Sequence, residues 1–275
     1  MTQANSADSS IELIVLGSGT SMGVPTPGCP CAVCHSSDPH DKRLRPSVLV
    51  NSGDARVVID TTPDFRTQAL RENLLRLDAV VLTHAHADHI MGFDDIRPYS
   101  LRQKKPMPVY ASAETANTLQ RVFAYAFDEA PALSSVPEVD LRLIEGPFEA
   151  AGIPFTPVPL EHGNSSVLGF RVESAAYLTD FSRLPESSKS LVTGLDDLIL
   201  DALRDEPHPM HLTVEQALEL VRELRPKRAW FTHIAHELPH AATNERLRRL
   251  GFNNVQLAYD GLRIPVRVSL AEAHA

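Results

Sequence analysis

The chain has 275 residues, a formal net charge of −9 and a hydrophobic fraction of 43%, enough for one large α/β domain or two small ones. The net negative charge disfavours long nucleic acids as partners, because proteins that bind them gain affinity by neutralising many phosphates. It does not exclude small anions as ligands. No stretch approaches the roughly 18 apolar residues of a membrane span, and residues 1–10 lack a signal peptide's apolar segment. We therefore expect a cytoplasmic protein without a membrane partner, and a homodimer is left open.

Strands and helices are predicted to alternate along the chain. In the first half we expect strands at 11–16, 47–51, 56–60 and 78–83, a hairpin turn at Gly53-Asp54, and helices at 63–73 and from about 88 to 98. In the second half we expect strands at 139–144, 155–160, 168–173, 176–178, 198–201, 228–231, 255–259 and 262–266, and helices at 213–224 and 244–250. Residues 11–268 are predicted to form a single domain, between a disordered N-terminus at 1–10 and a C-terminal tail at 269–275.

The segment His84-Ala85-His86-Ala87-Asp88-His89 carries four metal-binding side chains in six positions, directly after the apolar run 79–82. In an extended chain His84, His86 and Asp88 project to one side. If a helix begins near Asp88, His89 turns away from that row and can serve a second ion. The segment therefore favours two metal ions. The alternative is a solvated histidine-rich loop, which the preceding buried-strand pattern disfavours.

All three cysteines lie in Cys29-Pro30-Cys31-Ala32-Val33-Cys34, within an irregular loop at about 24–46. No thiol remains elsewhere in the chain, so a disulfide framework is excluded. Two of the three could oxidise together, but three adjacent thiols more naturally share one metal ion. A tetrahedral zinc needs a fourth ligand, which must come from outside the cluster.

Three further candidate ligands each follow an apolar run: His162 after 157–160, Asp180 after 177–179 and His233 after 230–232. Functional side chains are often carried where a loop leaves a rigid element. Taken singly, these residues are equally well explained as a turn histidine, a helix N-cap and a half-buried core imidazole. Together with the segment 84–89, they favour a shared metal site.

In their order and spacing, these seven residues resemble the metallo-β-lactamase superfamily, and the resemblance spans nearly the whole chain. It implies an α/β fold of the αββα sandwich type, with two mixed sheets face to face, helices outside, and a binuclear metal site at one edge. It also implies that His84, His86 and His162 hold one ion, that Asp88, His89 and His233 hold the other, and that Asp180 bridges them. The ions implied are zinc or manganese, and a mixed set of this kind also accepts iron or nickel.

Other residues resemble parts of the same family outside its ligand set. Asp60 resembles an early carboxylate that orients a metal-bound imidazole, and Thr83 the residue that introduces the cluster. His211, just before the predicted helix at 213, resembles the acid histidine of the branch that includes ribonuclease Z and the PhnP-type cyclic ribose phosphate phosphodiesterases. His208 is its nearest competitor, and a solvated position before the helix is the other explanation. Asp260 resembles a terminal strand turn close to the substrate, although an Asp-Gly turn explains it as well.

The pattern Gly28-Cys29-x-Cys31-x-x-Cys34 resembles a loop of the PhnP-type members. That resemblance supplies the fourth ligand, His236, and so predicts a structural zinc held by Cys29, Cys31, Cys34 and His236. His233 and His236 share one turn, which would connect the structural zinc to the catalytic centre. The alternative is a loose, reduced loop beside a solvated His236.

The resemblance predicts hydrolysis of a small anionic phosphodiester of the cyclic-nucleotide or ribose type. A metal-bridged hydroxide would attack phosphorus beside Asp88, and His211 would protonate the departing oxygen. The alternatives are ribonuclease Z-like tRNA processing, hydrolysis of an ester, thioester or lactone, and a PqqB-like accessory role without turnover. Five basic residues could assist an anionic substrate, but charged surface loops are common and no role is assigned to them: Arg43, Arg45, Arg102, Lys104 and Lys105. Four histidines are interpreted as surface residues: His35, His40, His240 and His274.

Overall fold

The computed structural model describes residues 10–128 and 135–267, and its first sheet has seven strands. They are β1 (Ile11–Gly17), β2 (Ser47–Ser52), β3 (Ala55–Ile59), β4 (Ala79–Val81), β5 (Met107–Ala111), β6 (Val139–Leu143) and β14 (Arg263–Val266). Their order is β14-β1-β2-β3-β4-β5-β6. The strands from β14 to β3 pair antiparallel, and those from β3 to β6 pair parallel. The carboxyl ends of β3 to β6 therefore lie at one edge.

The second sheet repeats this mixture. Its strands are β7 (Phe148–Ala150), β8 (Ile153–His162), β9 (Ser165–Val172), β10 (Ala175–Leu178), β11 (Asp197–Asp201), β12 (Arg228–Thr232) and β13 (Val255–Leu257). They are ordered β13-β12-β11-β10-β9-β8-β7. The strands β10 to β13 pair parallel, and β7 to β10 pair antiparallel. Both sheets are therefore mixed.

Seven α-helices accompany the sheets in the described ranges: α1 (Phe65–Arg71), α2 (Ala87–Ile90), α3 (Arg97–Gln103), α4 (Ala113–Val122), α5 (Glu186–Lys189), α6 (Val214–Leu224) and α7 (His240–Arg249). Short 3-10 helices lie at 39–41, 93–96, 124–126 and 190–192. Thr213 and Gln216 form a reciprocal capping box at the start of α6. None of these helices is long and apolar enough to cross a membrane.

Three apolar layers hold the molecule together. Between the sheets, Val50 and Ile59 of the first sheet share a buried cluster with Phe170 and Ile199 of the second. The outer face of the first sheet packs against α1, α3 and α4, and the outer face of the second packs against α6. This is the four-layer αββα sandwich, so the predicted fold class is confirmed.

The largest differences from the predicted elements lie between 84 and 122. The helix expected up to about 98 is divided into α2, the 3-10 turn at 93–96 and α3. Gly92 lies at the interruption, where the chain passes so close to Thr62 that a Cβ would lie 1.9 Å from its carbonyl oxygen. The prediction missed β5, which contains Pro108, and α4, in which Leu119 and Val122 are the only large apolar residues.

Two residues interpreted as surface groups are buried, which corrects the sequence analysis. Arg43 is 1% exposed, and its guanidinium donates to the Asp41 carboxylate and to the carbonyl oxygens of Ala235 and Leu238 at 3.0, 3.0 and 2.7 Å. His240 is also buried. Patterns along the chain did not reveal Arg43 because its carbonyl partners lie more than 190 positions away. His274, the tail at 269–275 and residues 1–9 of the predicted N-terminus lie outside the described residues.

Candidate metal centre

The first predicted ligand group meets where β4 and β8 end. His84 follows β4 by three residues, and His162 is the last residue of β8. One ligand atom from each of His84, His86 and His162 lies within 4.8 Å of the others. His84 and His162 are buried, whereas His86 is exposed. The structure thus brings together the three imidazoles assigned to the first ion.

The second predicted group, Asp88, His89, Asp180 and His233, is buried throughout, and its ligand atoms also lie within 4.8 Å of one another. Helix α2 begins at Ala87, so Asp88 and His89 occupy its first turn. The Asp180 Oδ2 lies 3.2 Å from His89 Nε2, 3.3 Å from His233 Nε2 and 3.9 Å from His84 Nε2. Asp180 therefore reaches both groups, as a bridging ligand must.

Three site residues adopt left-handed backbone conformations that non-glycine residues seldom adopt. Their φ angles are +66° at Asp60, +54° at Asp180 and +57° at His233. Each comes directly or shortly after a strand, and such a conformation costs about 1–2 kcal/mol. Strain of this kind persists where surrounding contacts hold it in place. Three of the eight described non-glycine residues with positive φ angles therefore lie in this site.

The second ring nitrogens orient three of the imidazoles. His89 Nδ1 donates to Asp60 Oδ2 at 2.7 Å, and His162 Nδ1 donates to the Met210 carbonyl oxygen at 2.8 Å. Thr83 donates its hydroxyl to the Asp60 carboxylate, so His84 Nδ1 can donate to the same hydroxyl at 3.0 Å. With the proton held on Nδ1, each Nε2 keeps a lone pair for a metal ion. Asp60 and Thr83 thus lie where the resemblance predicts.

Unpaired polar atoms show that the residues fit a metal. His84 Nε2, His89 Nε2, His233 Nε2 and Asp88 Oδ2 are buried without a hydrogen-bond partner among the described residues. Buried polar atoms are normally satisfied, because losing water without replacement costs about 1–3 kcal/mol. Divalent cations shared by these nitrogen and oxygen atoms would satisfy them together.

The electrostatics of the second group point the same way. Burial alone would raise the pKa of Asp180, but His233 and His89 hold it well below its ordinary value. Burial alone would lower the pKa of His233, but Asp180 and Asp88 raise it to about 9. The carboxylates therefore favour positive charge among the ring nitrogens, and a divalent cation supplies that charge.

His211 lies beside this cluster and is held by a residue that the sequence analysis missed. Its Nδ1 lies 3.0 Å from Oδ2 of the buried Asp201, the last residue of β11. Its ring stacks on the His233 ring with centroids 4.5 Å apart. Asp201 directly follows the apolar run 198–200, as Asp180 follows 177–179, so the same signal could have found it.

A cavity of about 370 Å³ opens over the metal cluster, and its lining distinguishes between the two candidate acids, His211 and His208. His211 lines it together with Asp88, Asp180 and His233, whereas His208 does not. His208 Nδ1 instead accepts a hydrogen bond from the Met210 amide at 3.2 Å. This placement favours His211 over His208 as the group that faces a bound substrate.

The carboxylate of Asp260 accepts hydrogen bonds from two turns of the chain. One carboxylate oxygen accepts from the Ser18 amide and hydroxyl, both at 2.9 Å, and the other accepts from the Leu44 amide at 2.9 Å. Arg71 lies 3.3 Å from the second oxygen. Asp260 does not line the cavity over the metal cluster. It fixes two turns, and its predicted contact with substrate gains no support from this arrangement.

The cysteine loop forms a second, separate ligand group. His236 Nδ1 lies 3.1, 3.3 and 3.7 Å from the sulfur atoms of Cys29, Cys31 and Cys34. Edges of about 3.6 Å are expected for nitrogen and sulfur on a zinc tetrahedron. A hydrogen bond from the Cys34 amide and the contact with His236 lower the pKa of the Cys31 thiol to about 6, which favours the thiolate that zinc binds. The four predicted residues therefore fit a closed structural site.

Comparison with known proteins identifies the class. The profile of the β-lactamase superfamily domain matches residues 55–234. A crystal structure of a diphosphatase from the PhnP family is 48% identical and superposes with a TM-score of 0.87, covering 94% of this chain and 98% of that one. The chain therefore belongs to the metallo-β-lactamase superfamily and, within it, to the PhnP family. Its fold and the order of its potential ligands agree with that membership.

Two other relatives show how widely this fold is used. The octanoyltransferase of Porphyromonas gingivalis is 34% identical over 253 residues, which are 90% of this chain and 50% of the relative. The chain thus spans about half the length of that protein. Zinc-bound PqqB from Methylobacterium extorquens is 20% identical, with a TM-score of 0.75 over 92% of this chain and 99% of that one, a likeness of fold alone.

Proposed function

We propose that this protein hydrolyses a small phosphate diester at the edge where the seven predicted ligands meet. The observation that carries the proposal is the contact between His211 and the buried Asp201 beside those ligands, with His211 lining the same cavity. Zinc or manganese, when bound, would lower the pKa of a coordinated water towards 7 and neutralise the phosphate oxygens. An acid held at one side of this cavity is what an alkoxide leaving group requires.

The roles of the protein groups follow from their hydrogen bonds. Asp201 accepts from His211 Nδ1, which fixes the ring and leaves Nε2 as the nitrogen that donates a proton to the departing oxygen. Asp88 lines the cavity, and its buried Oδ2 has no hydrogen-bond partner among the described residues. Asp60 and Thr83 hold the imidazoles of His89 and His84 in the orientation that ligation needs.

A second candidate bond is the diphosphate linkage, because the similar PhnP-family structure is that of a diphosphatase. A diphosphate esterified at both ends presents phosphorus with two non-bridging oxygens, as a simple diester does. The difference lies in the leaving group, since a phosphate leaves more readily than an alkoxide and needs His211 less. The dependence on His211 thus separates the two reactions.

The remaining alternatives predict different behaviour. Ribonuclease Z-like processing would give tRNA binding that falls steeply with salt, which the net charge of −9 disfavours. A PqqB-like accessory protein would hold its metals without turnover. An ester, thioester or lactone hydrolase would cleave acyl substrates and leave phosphates intact. We propose a small anionic phosphodiester as the partner, with neither long nucleic acid nor membrane involved.

The experiment compares substrates that differ in their leaving groups on the metal-loaded protein. The substrates are a 2′,3′-cyclic ribose phosphate, bis(p-nitrophenyl) phosphate and UDP-glucose, tested with the parent protein, His211→Ala and Asp201→Asn. His211→Ala is expected to lower kcat on the cyclic substrate by about 10²- to 10⁴-fold. Smaller losses are expected on p-nitrophenolate and phosphate leaving groups, and Asp201→Asn should reproduce this order more weakly.

Two outcomes would overturn the proposal. One is the absence of turnover on every phosphate substrate while both metals are bound. The other is full turnover of the cyclic phosphate by His211→Ala. If UDP-glucose alone were cleaved, the proposed substrate would be a diphosphate and not a simple diester. If only a thioester or lactone were cleaved, the protein would not be a phosphate hydrolase.

A further inference from the structure

A second cavity of about 210 Å³ adjoins the metal centre on the side of His86. His84 and His86 form one of its walls, and His86 also lines the cavity that contains His211. The other walls come from Glu114, Thr115 and Thr118 of α4 and from residues 165–167 at the start of β9. The two cavities are therefore neighbours across a single candidate ligand.

The topology explains why these elements meet. Strands β4 and β5 are parallel neighbours, so the chain that leaves β4 towards His84 and the chain that leaves β5 into α4 emerge at the same edge. The Leu168 amide in β9 donates to the Thr83 carbonyl oxygen at 3.1 Å, which joins the second sheet to the start of the histidine cluster. The position of the cavity is thus set by rigid elements of both sheets.

The walls offer polar groups that are not used within the protein. Glu114, Thr118, Ser165 and Ser166 line the cavity, and no hydrogen bond or ion pair joins their side chains to another described residue. Three are hydroxyls and one is a carboxylate. Thr115, in contrast, is buried and engaged by the Ser112 cap of α4. Free acceptors and donors on several walls suit a ligand that carries hydroxyl groups.

Charge and size restrict that ligand further. Among the described residues no lysine or arginine lines this cavity, and its carboxylate would repel a second phosphate. Sites for drug-sized ligands usually measure about 300–1,000 Å³, so this one suits a smaller group. A sugar or glycerol unit, neutral and rich in hydroxyls, meets both restrictions.

We propose that this cavity is the specificity subsite for the hydroxyl-bearing part of the substrate, a ribose or glycerol unit, and that Glu114 accepts a hydrogen bond from one of its hydroxyls. The inference rests on the proposed phosphodiester hydrolysis, since it places the ester group at the metal centre and its neutral substituent beside His86. Glu114 acts in binding and specificity, without a part in the chemical step.

The kinetic test uses two substrates that differ by one hydroxyl, glycerol 1,2-cyclic phosphate and propane-1,2-diol cyclic phosphate. The parent protein is expected to prefer the glycerol compound in kcat/KM by about tenfold, the effect of one hydrogen bond to a charged group. Glu114→Gln and Thr118→Val should reduce that preference. Glu219→Gln, the same change on an exposed residue of α6, is the matched control and should preserve it.

A binding test separates this subsite from the proposed function. Calorimetry on metal-loaded His211→Ala compares ribose 5-phosphate with methyl phosphate, and the ratio of their Kd values measures the contribution of the sugar. Adding Glu114→Gln should bring that ratio towards one, even if no substrate is turned over. The subsite would be overturned if Glu114→Gln left the ratio of the two Kd values unchanged. It would also be overturned if the parent protein did not prefer the glycerol compound in kcat/KM, or if His211→Ala did not bind ribose 5-phosphate more tightly than methyl phosphate. Turnover of both cyclic phosphates with that result would leave the proposed function standing.

Discussion

The two ligand groups of this protein differ in what they leave open. Seven histidine and aspartate side chains, which we call the open group, form two neighbouring sets of potential metal ligands. Five of them line a cavity, so ions held there would keep coordination positions for water and substrate. The three thiols and one imidazole of Cys29, Cys31, Cys34 and His236, which we call the closed group, would by contrast complete a tetrahedral shell around one ion. The first arrangement suits catalysis and the second suits the fixing of a loop.

The two groups also differ in their support. Imidazoles of the open group are oriented by Asp60, Thr83 and the Met210 carbonyl oxygen, so their positions persist independently of the ions. The cysteine loop has one 3-10 helix and an antiparallel bridge between Val24 and Arg43 at its base. An ion in the open group would therefore bind ligands that are already oriented, whereas an ion in the closed group would itself hold the cysteine loop in place.

The largest effect is expected from Asp180→Ala, which removes the carboxylate that reaches both halves of the open group. Loss of a shared ligand should weaken both ions and reduce kcat/KM by about a thousandfold or more, several kcal/mol of transition-state stabilisation. Metal content by mass spectrometry and phosphodiester turnover measure the two consequences. Asp54→Ala, the same change on an exposed turn, serves as the control. If Asp180→Ala kept its turnover with a single metal ion in the open group, the two halves of that group would act independently of each other.

A smaller effect is expected when the support of the open group is removed and its ligands stay. Asp60→Ala deletes the acceptor of His89 Nδ1 and should weaken metal affinity about ten- to a hundredfold. Asp60→Asn keeps one acceptor oxygen and should lose less. Titration against a competing chelator gives the affinities, and circular dichroism verifies the fold. If both variants bound metal as tightly as the parent, the imidazoles would be oriented by packing alone.

The ligands of the open group could be predicted because the sequence signal that marks each of them is local, although the residues themselves lie far apart in the chain. His84, His162, Asp180 and His233 each follow a short apolar run, and the parallel strands of each sheet end at a common edge. Asp201 carries the same signal at the end of β11, but an aspartate at a strand end is common and only its contact with His211 gives it a role.

The features that could not be predicted depend on contacts between distant residues. Arg43 resembles a surface charge until its bonds to Ala235 and Leu238 are seen, because main-chain carbonyl oxygens leave no trace in a sequence pattern. The cavity beside Glu114 could not be predicted either. Because β5 and α4 were missed, nothing in the sequence placed α4 next to His86. Long-range hydrogen bonding and helix placement, more than motif recognition, limited the sequence analysis.

The smallest effect on activity is expected from Cys31→Ser in the closed group. One zinc per chain should be lost, and the melting temperature should fall by about 5–10 °C, which corresponds to a few kcal/mol for a chain of this size. Turnover should fall less than tenfold, because the turn of His233 has other support: Ile234 donates to the Ser18 carbonyl oxygen at 2.9 Å and accepts from the Thr20 amide at 3.2 Å.

Scanning calorimetry, zinc content and turnover distinguish the separate sites from a coupled pair. Ser37→Ala, an exposed change in the same loop, should alter none of the three. If Cys31→Ser remained folded yet lost turnover to the level of Asp180→Ala, the turn from His233 to His236 would be transmitting the state of the cysteine group to the catalytic metals. The hydrogen bonds of Ile234 predict instead that the turn keeps its shape, so the closed group stabilises the loop and the open group alone determines the rate.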